Sequence, residues 1–273
     1  MHLAINYSPA AAKLVESGTI DIDYLKTPNW DWIVKEASQL RPVAVHFGLE
    51  AGNGSLEQVD WDKIWHFCEL TGTPYINIHV DARQCYYPEF AVNSAELPEV
   101  ETVAKVILSD VLNVVRRFGP ERTIVENSPY HDIEGNTMRL CVMPDLLSQV
   151  VVETGCGLLL DISHAVIAAN ALGMSPVDYM SQLPLQQVKE LHFAGIHKNQ
   201  TNGQLTDHLS ILEDNWQWLD WVLERIKSGE CSPPWLLAFE YGGVGEPFDW
   251  RSDPQVIAEQ VPELYKHIAM LVS

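Results

Sequence analysis

The sequence has 273 residues, of which 47% are hydrophobic, and this length and composition suit one large domain with a substantial core. Lys and Arg number 17 against 37 Asp and Glu, which gives a formal net charge of −20. Because nucleic-acid binding depends on Lys and Arg that neutralise phosphates, this balance argues against a nucleic-acid partner. No apolar run approaches the roughly 18 residues that span a bilayer, and no signal-peptide pattern opens the sequence, so we expect a cytoplasmic protein that does not associate with membranes.

The five cysteines are scattered along the chain without a CxxC pair, at positions 68, 85, 141, 156 and 231. An odd number without regular spacing is typical of reduced thiols in a cytosolic enzyme. Cys68 and Cys156 lie in apolar segments and are predicted core residues. No cysteine is assigned a functional role.

Strand-like runs alternate with helical segments along the whole chain. The predicted strands are residues 3–6, 22–27, 42–47, 74–80, 122–127, 157–161, 188–193 and 235–241. The predicted helices are residues 30–39, with Asn29 as a candidate cap, and 60–70, 100–118, 144–153, 176–182, 215–227 and 254–271. The run at 22–27 is polar for a buried strand and is the weakest strand prediction.

Strands that alternate with helices at this spacing predict a parallel sheet, and eight of them predict a (β/α)8 TIM barrel. We expect α/β architecture with a single barrel domain over residues 1–273. A doubly wound open sheet is the alternative. It needs a glycine-rich phosphate loop after the first strand, and residues 6–10 contain no glycine.

Six of the predicted strands deliver an imidazole or a carboxylate at or near their carboxyl ends: His46, His79, Glu126, Asp161, His192 and Glu240. A parallel barrel gathers these ends around one mouth, where barrel enzymes perform their chemistry. Burying several carboxylates together is costly unless cations compensate. Since Lys26 is the only basic residue at a strand end, the pattern predicts a metal site at this face, with cations from solution as the compensating charges.

Three further residues extend this pattern. Asp161 is followed three positions later by His164, and Asp207 and His208 follow His192 in a polar loop. Imidazole together with carboxylate suits Zn, Mn, Fe or Co. Taken singly, a strand histidine is more often a hydrogen-bonded core residue, and a strand-end carboxylate is more often a helix cap. The joint occurrence favours metal ligation. His131, in the loop after Glu126, is a candidate substrate contact.

These residues resemble the divalent-metal TIM barrels of the xylose isomerase-like superfamily, which includes relatives of endonuclease IV. Within it, the chain is most similar to multinuclear non-haem iron oxidases of the methanobactin-biosynthesis type, through residues 124–127 (IVEN), 158–161 (LLLD) and 190–195 (ELHFAG). The loop motif of these families usually has one residue between Asp and His, whereas Asp207 and His208 are adjacent. The ligands that the resemblance implies are His46, His79, Glu126, Asp161, His164, His192, Asp207, His208 and Glu240.

The resemblance implies an enzyme with two or three divalent metal ions, iron favoured and Mn or Zn open, that oxidises a peptide or a small molecule. Glu126 would bridge two ions; Glu126, Glu240 and His131 are the candidate catalytic residues. A partner protein that presents the substrate is a further implication. The residues leave open a divalent-metal sugar isomerase or epimerase, with Glu126 and Glu240 as paired carboxylates. An endonuclease IV-like phosphoesterase, opposed by the negative charge, and a non-catalytic metal-binding scaffold are the remaining alternatives.

Overall fold

The structure, a computed structural model, describes residues 1–269, apart from the side chains at positions 55, 247, 249 and 250. Eleven strands occur in this part of the chain: β1 His2–Asn6, β2 Tyr24–Pro28, β3 Val43–His46, β4 Leu49–Ala51, β5 Ile76–Val80, β6 Thr123–Glu126, β7 Gly157–Asp161, β8 Val188–Phe193, β9 Gly195–Lys198, β10 Leu205–Leu209 and β11 Leu236–Phe239. The α-helices are α1 Pro9–Glu16, α2 Asp31–Ala37, α3 Trp61–Thr71, α4 Leu97–Phe118, α5 Pro144–Thr154, α6 Ile162–Leu172, α7 Pro176–Met180, α8 Trp216–Ser228 and α9 Pro254–Ala269.

The chain separates into two compact units. Unit 1 contains residues 1–46, 63–73 and the described residues from 190 onward, and unit 2 contains residues 47–62 and 74–189. The assignment of residues 1–273 to one domain stays a prediction. No helix within residues 1–269 is long and apolar enough to cross a bilayer.

In unit 1, the strands lie in the order β3-β2-β1-β11-β8, and neighbouring strands pair in parallel. Small side chains, Ala4, Ala44 and Ala238, pack with Leu236 in its core. The polar run at 22–27 does contain a central strand, β2, with Leu25, Lys26 and Thr27 all buried. Lys26 can be buried there because it forms an ion pair with the carboxylate of Glu240.

In unit 2, the strands lie in the order β7-β6-β5-β4 and pair in parallel. Helix α4 agrees with the helix predicted over 100–118, and it buries Val103, Ile107, Val111 and Val114. Both units therefore have the parallel strands and intervening helices that the alternating pattern predicted, and Cys68 and Cys156 are buried as expected.

Several elements differ from the sequence-based prediction. Helix α1 was missed although Ser8 caps it and Pro9 opens it. Helix α6 was missed because most of its residues are buried, so it lacks the alternation of polar and apolar faces that marks an amphipathic helix. The predicted polar loop around 199–208 is an antiparallel hairpin of β9 and β10, and Asp207 and His208 lie on β10.

Asn29 does not cap α2. The N-cap residue of this helix is Trp30, and no side chain forms a capping hydrogen bond there. The predicted helix end at position 271 lies outside the described residues, and the described part of α9 ends at Ala269.

Candidate metal centre

Unit 2 holds a buried group of three potential metal ligands, Glu126, Asp161 and His164, whose ligand atoms lie within 4.8 Å of one another. The Nδ1 atom of His164 lies 3.9 Å from Oε1 of Glu126, and its Nε2 atom lies 3.6 Å from Oδ2 of Asp161. Two carboxylates and an imidazole at this spacing can hold a divalent cation of the first transition row.

The local fold explains how Asp161 and His164 meet. Asp161 ends β7 and is the N-cap of α6, where its Oδ1 accepts a hydrogen bond of 2.8 Å from the His164 backbone N–H. The His164 ring nitrogen Nδ1 lies 2.9 Å from the carbonyl oxygen of Asn127. A carbonyl only accepts, so Nδ1 carries the proton and Nε2 keeps its lone pair. Nε2 is therefore the nitrogen suited to a metal.

Asn127, to which the sequence-based prediction gave no role, holds the backbone of Asp161 next to the end of β6. Its side-chain Nδ2 donates to the carbonyl of Asp161 at 2.8 Å, and its Oδ1 accepts from the Asp161 backbone N–H at 2.9 Å. These two hydrogen bonds connect the carboxyl ends of β6 and β7, which are formed by Glu126 and Asp161. The signal in the sequence was only its position immediately after the strand-end Glu126.

His79 joins the same group through Glu126. The two residues are register partners on β5 and β6, and Nε2 of His79 lies 3.1 Å from Oε2 of Glu126. Asn77, two residues earlier on the same face of β5, donates to Oε2 of Glu126 at 3.5 Å. Its Oδ1 in turn accepts from the Phe47 backbone N–H at 2.7 Å. Glu126 is thus buried, with His79 and Asn77 both in contact with its Oε2 atom.

A cavity of about 450 Å³ opens beside these ligands within unit 2. Its wall includes His79, His164 and His131, together with Glu50, Asp81 and Arg83. The predicted substrate contact, His131, therefore shares a cavity with two predicted ligands.

In unit 1, His192 is fully buried between two carboxylates. Its Nε2 atom lies 3.0 Å from Oε1 of Glu190, and its Nδ1 atom lies 3.2 Å from Oε1 of Glu240. Glu190 was missed in the sequence, although its position two residues before His192 places both on one face of β8. A carboxylate that takes the N–H of a histidine fixes the tautomer and directs the other nitrogen at a metal.

Glu240 has basic partners in unit 1. Oε1 of Glu240 forms a buried ion pair with Nζ of Lys26. Burial lowers the pKa of Arg251, while the negative charges of Glu240 and Asp207 act in the opposite direction. Lys26 and Arg251 therefore contribute positive charge near Glu240, and compensation of the acidic cluster by cations from solution stays a prediction.

His208 has a left-handed backbone with a φ of 57°, a conformation that no other non-glycine residue adopts among the described residues. It lies where the register of β9 and β10 shifts, between Thr206 and Leu209. Its Nδ1 atom lies 3.1 Å from the carbonyl oxygen of Glu240 and 3.6 Å from Oε2 of Glu240. The strained conformation thus brings His208 to Glu240.

The predicted ligands are placed as follows. Unit 1 contains His46, whose ring lies 5.2 Å from that of His192, and the neighbouring Asp207, His208 and Glu240. Unit 2 contains His79, Glu126, Asp161 and His164. That all nine residues form one metal centre stays a prediction.

Comparison with known proteins assigns the chain to a family. Residues 25–235 match the family described as RiPP precursor modification enzyme MbnB/TglH/ChrH. The chain belongs to this family. Its members are metal-dependent enzymes, which agrees with the groups of imidazoles and carboxylates that could bind metal in this structure. The predicted resemblance to the methanobactin-type enzymes is confirmed.

Individual relatives are less informative. The UPF0276 protein of Acaryochloris marina is 28% identical over 158 residues, which are 56% of this chain and 55% of that protein. The UPF0276 protein RB0508 of Rhizobium meliloti is 45% identical over 108 residues, 40% of this chain and 34% of that protein. The chain thus matches about half the length, or less, of these curated relatives.

Solved structures show the fold. A D-tagatose 3-epimerase-like protein has a TM-score of 0.60 at 14% identity and covers 100% of both chains. A D-psicose 3-epimerase solved in the presence of D-fructose has a TM-score of 0.58 at 10% identity and covers 99% of both chains. A fusion protein that contains a xylose isomerase-like TIM barrel matches with a TM-score of 0.54 at 12% identity. The match covers 97% of this chain and 44% of the fusion protein. The predicted (β/α)8 TIM-barrel fold is therefore confirmed.

Proposed function

We propose that this family member is a metal-dependent oxidase that modifies a peptide or a small molecule in the cytoplasm, with dioxygen as the oxidant. The observation that supports this most is the triad of Glu126, Asp161 and His164, buried beside a cavity. Its two carboxylates lie at the ends of the neighbouring parallel strands β6 and β7, and its imidazole lies in the first turn of α6, which follows β7 directly. Membership of a family that modifies peptide precursors points to a peptide as the substrate.

The proposed metal ligands are His46, His79, Glu126, Asp161, His164, His192, Asp207, His208 and Glu240, which would hold two or three divalent ions. The chemistry of the donors fits such ions: His164 presents Nε2, Asp161 presents Oδ2, and no ligand is a thiolate. Bound first-row ions in a sphere of imidazoles and carboxylates supply Lewis acidity and, for iron, activation of dioxygen at open positions.

Residues in and beside the cavity would position the substrate and the metal ions and transfer protons. His131 lies on the wall that His79 and His164 also form, where its imidazole can accept a proton from a substrate group or return one. Glu126 is held by Asn77 and His79 in a fixed orientation, which suits a bridging carboxylate. A cavity of about 450 Å³ has room for one or two amino-acid side chains rather than a folded protein. A partner protein that presents the substrate is part of the proposal.

The sugar-epimerase alternative needs Glu126 and Glu240 as two exchangeable proton carriers. The buried ion pair between Lys26 and Glu240 disfavours this role, because the ammonium of Lys26 already engages Oε1 of Glu240. Likeness to epimerases at 10% to 14% identity concerns the fold alone.

The test is elemental analysis of anaerobically purified protein, followed by dioxygen uptake. About two or more irons per chain, with uptake that depends on a cysteine-containing peptide encoded beside the gene, would support the proposal. The same peptide with Ser in place of Cys is the control. A single Mn or Mg per chain without dioxygen uptake would contradict it. The His131→Ala variant should keep its metal while turnover changes.

A further inference from the structure

Arg83 lies on the wall of the cavity that contains His79 and His164, yet neither the metal site nor the proposed proton transfer uses it. Its Nε atom lies 3.0 Å from Oδ2 of Asp81, and its Nη2 atom lies 2.7 Å from Oε1 of Glu50. Two separate carboxylates therefore hold one guanidinium.

Both carboxylates are themselves anchored through their second oxygens. Thr137 donates its hydroxyl to Oδ1 of Asp81 at 2.6 Å, and Asn53 donates Nδ2 to Oε2 of Glu50 at 2.8 Å. The Oδ1 atom of Asn53 accepts from the Arg83 backbone N–H at 2.8 Å. This closed network fixes the position of the guanidinium before any ligand arrives, which lowers the entropic cost of binding.

The guanidinium retains hydrogen-bonding capacity. It has five N–H donors, and the two ion pairs engage Nε and Nη2, which leaves both hydrogens of Nη1 and one of Nη2. Among the residues that the structure describes, Nη1 of Arg83 has no ion-pair partner. The side chain is 46% exposed. Although burial lowers the pKa of Arg83, the charges of Asp81 and Glu50 raise it by more, so the group stays charged.

We propose that Arg83 is a substrate-binding residue that receives a carboxylate of the substrate in this cavity. The inference rests on the proposed function, since it takes the cavity to be the substrate site. The planar fork of Nη1 and Nη2 matches the two oxygens of a carboxylate. With Asp81 and Glu50 alongside, the local charge is already negative, which disfavours a dianionic phosphate relative to a singly charged carboxylate.

Two sources can supply this group in a peptide: the C-terminal carboxylate, or an Asp or Glu side chain. Three probes distinguish them: acetyl-Ala-Ala-Ala with a free carboxylate, the same tripeptide as its amide, and acetyl-Ala-Asp-Ala-amide. Inorganic phosphate is the fourth probe. Binding to the purified metal-containing protein is measured by calorimetry, so that the readout does not depend on turnover.

Wild-type protein should bind at least one of the two carboxylate peptides about tenfold more tightly than the amide, a preference of the size expected for a charge-assisted pair that solvent partly screens. Arg83→Gln should abolish this preference. Arg83→Lys, which keeps the charge without the fork, should retain part of it. Arg225→Gln, at a half-buried arginine that pairs with Glu230 and does not line the cavity, is the matched control and should change nothing.

A preference that persists in R83Q would overturn the inference, because the carboxylate would then bind the metal or another group. Tighter binding of phosphate than of every peptide would also overturn it. Metal content is measured in each variant. Loss of carboxylate preference in R83Q with unchanged metal supports the role of Arg83. Protein that binds no metal but shows the same dependence on Arg83 would refute the proposed oxidase and leave this binding role intact.

Discussion

Asp207 and His208 are adjacent in the sequence, yet Nε2 of His208 lies 3.9 Å from Oδ1 of Asp207. Neighbours on a regular strand point to opposite faces of the sheet. Here the register shift in β10 and the left-handed backbone of His208 rotate the two side chains towards each other. Two potential ligands that are adjacent in the sequence therefore lie close together despite their positions on one strand.

The left-handed backbone of His208 predicts that a glycine variant is more stable than an alanine variant at this position. His208→Gly should be more stable than His208→Ala by about 1 kcal/mol, because a left-handed backbone costs Ala about that much and costs Gly almost nothing. Both variants should bind less metal than the wild type. Urea unfolding of the metal-free proteins gives the stabilities. If the alanine variant is the more stable one, the backbone at His208 is not left-handed.

The contact between Glu190 and His192 predicts an effect on metal affinity without a change of ligand. Glu190→Gln should weaken metal binding by about 10- to 100-fold, because an amide orients the imidazole less well and makes it a weaker base. Competition with a chelator measures the affinity. The exposed Glu259 provides a control in E259Q. Equal affinities in E190Q and E259Q would show that Glu190 does not position His192.

The buried pair of Lys26 and Glu240 predicts a metal-dependent stability change. Lys26→Met should lower the free energy of unfolding of metal-free protein by about 3 kcal/mol, since it removes a cationic partner of a buried carboxylate. Bound metal should reduce this loss, because the cation takes over the compensation. Unfolding with and without metal measures both values.

Lys266→Met is the matched control, because its ion pair with Glu263 is exposed and should contribute less than about 1 kcal/mol. An equal loss of stability in K26M with and without metal would indicate that Glu240 is not a metal ligand.

The cysteines predict a simple thiol titration. Cys85 is exposed, whereas the other four cysteines are buried, and burial raises the pKa of Cys141 and of Cys231 to about 12. A disulfide reagent at pH 8 should therefore label one thiol per chain rapidly in native protein and all five after unfolding. Native C85S should show no rapid labelling. Rapid labelling of a second native thiol would contradict the packing of these cysteines.

Much of the fold could be predicted from sequence because each strand-like run carries its own signal. Even the polar strand β2 was found, since the alternation of strands and helices required an element at that position. Helix α6 and the hairpin of β9 and β10 were missed for opposite reasons: the helix is apolar on nearly every side, and the hairpin is polar.

The contacts within the site were harder to predict than the ligands. Lys26 and Glu240 lie 214 positions apart, and only the adjacency of β2, β1 and β11 brings them near each other. Glu190 and Asn127 resemble ordinary polar residues in the sequence. Their roles depend on the direction of single side-chain atoms, which neither periodicity nor composition encodes.

The central claim is that carboxylates and imidazoles at the strand ends bind metal, with Glu126 shared by two ions. The most direct measurement is the metal content per chain of anaerobically purified wild type, Glu126→Gln and Glu259→Gln. The account predicts two or more divalent ions in the wild type and in E259Q, and clearly fewer in E126Q. A full metal load in E126Q would contradict it.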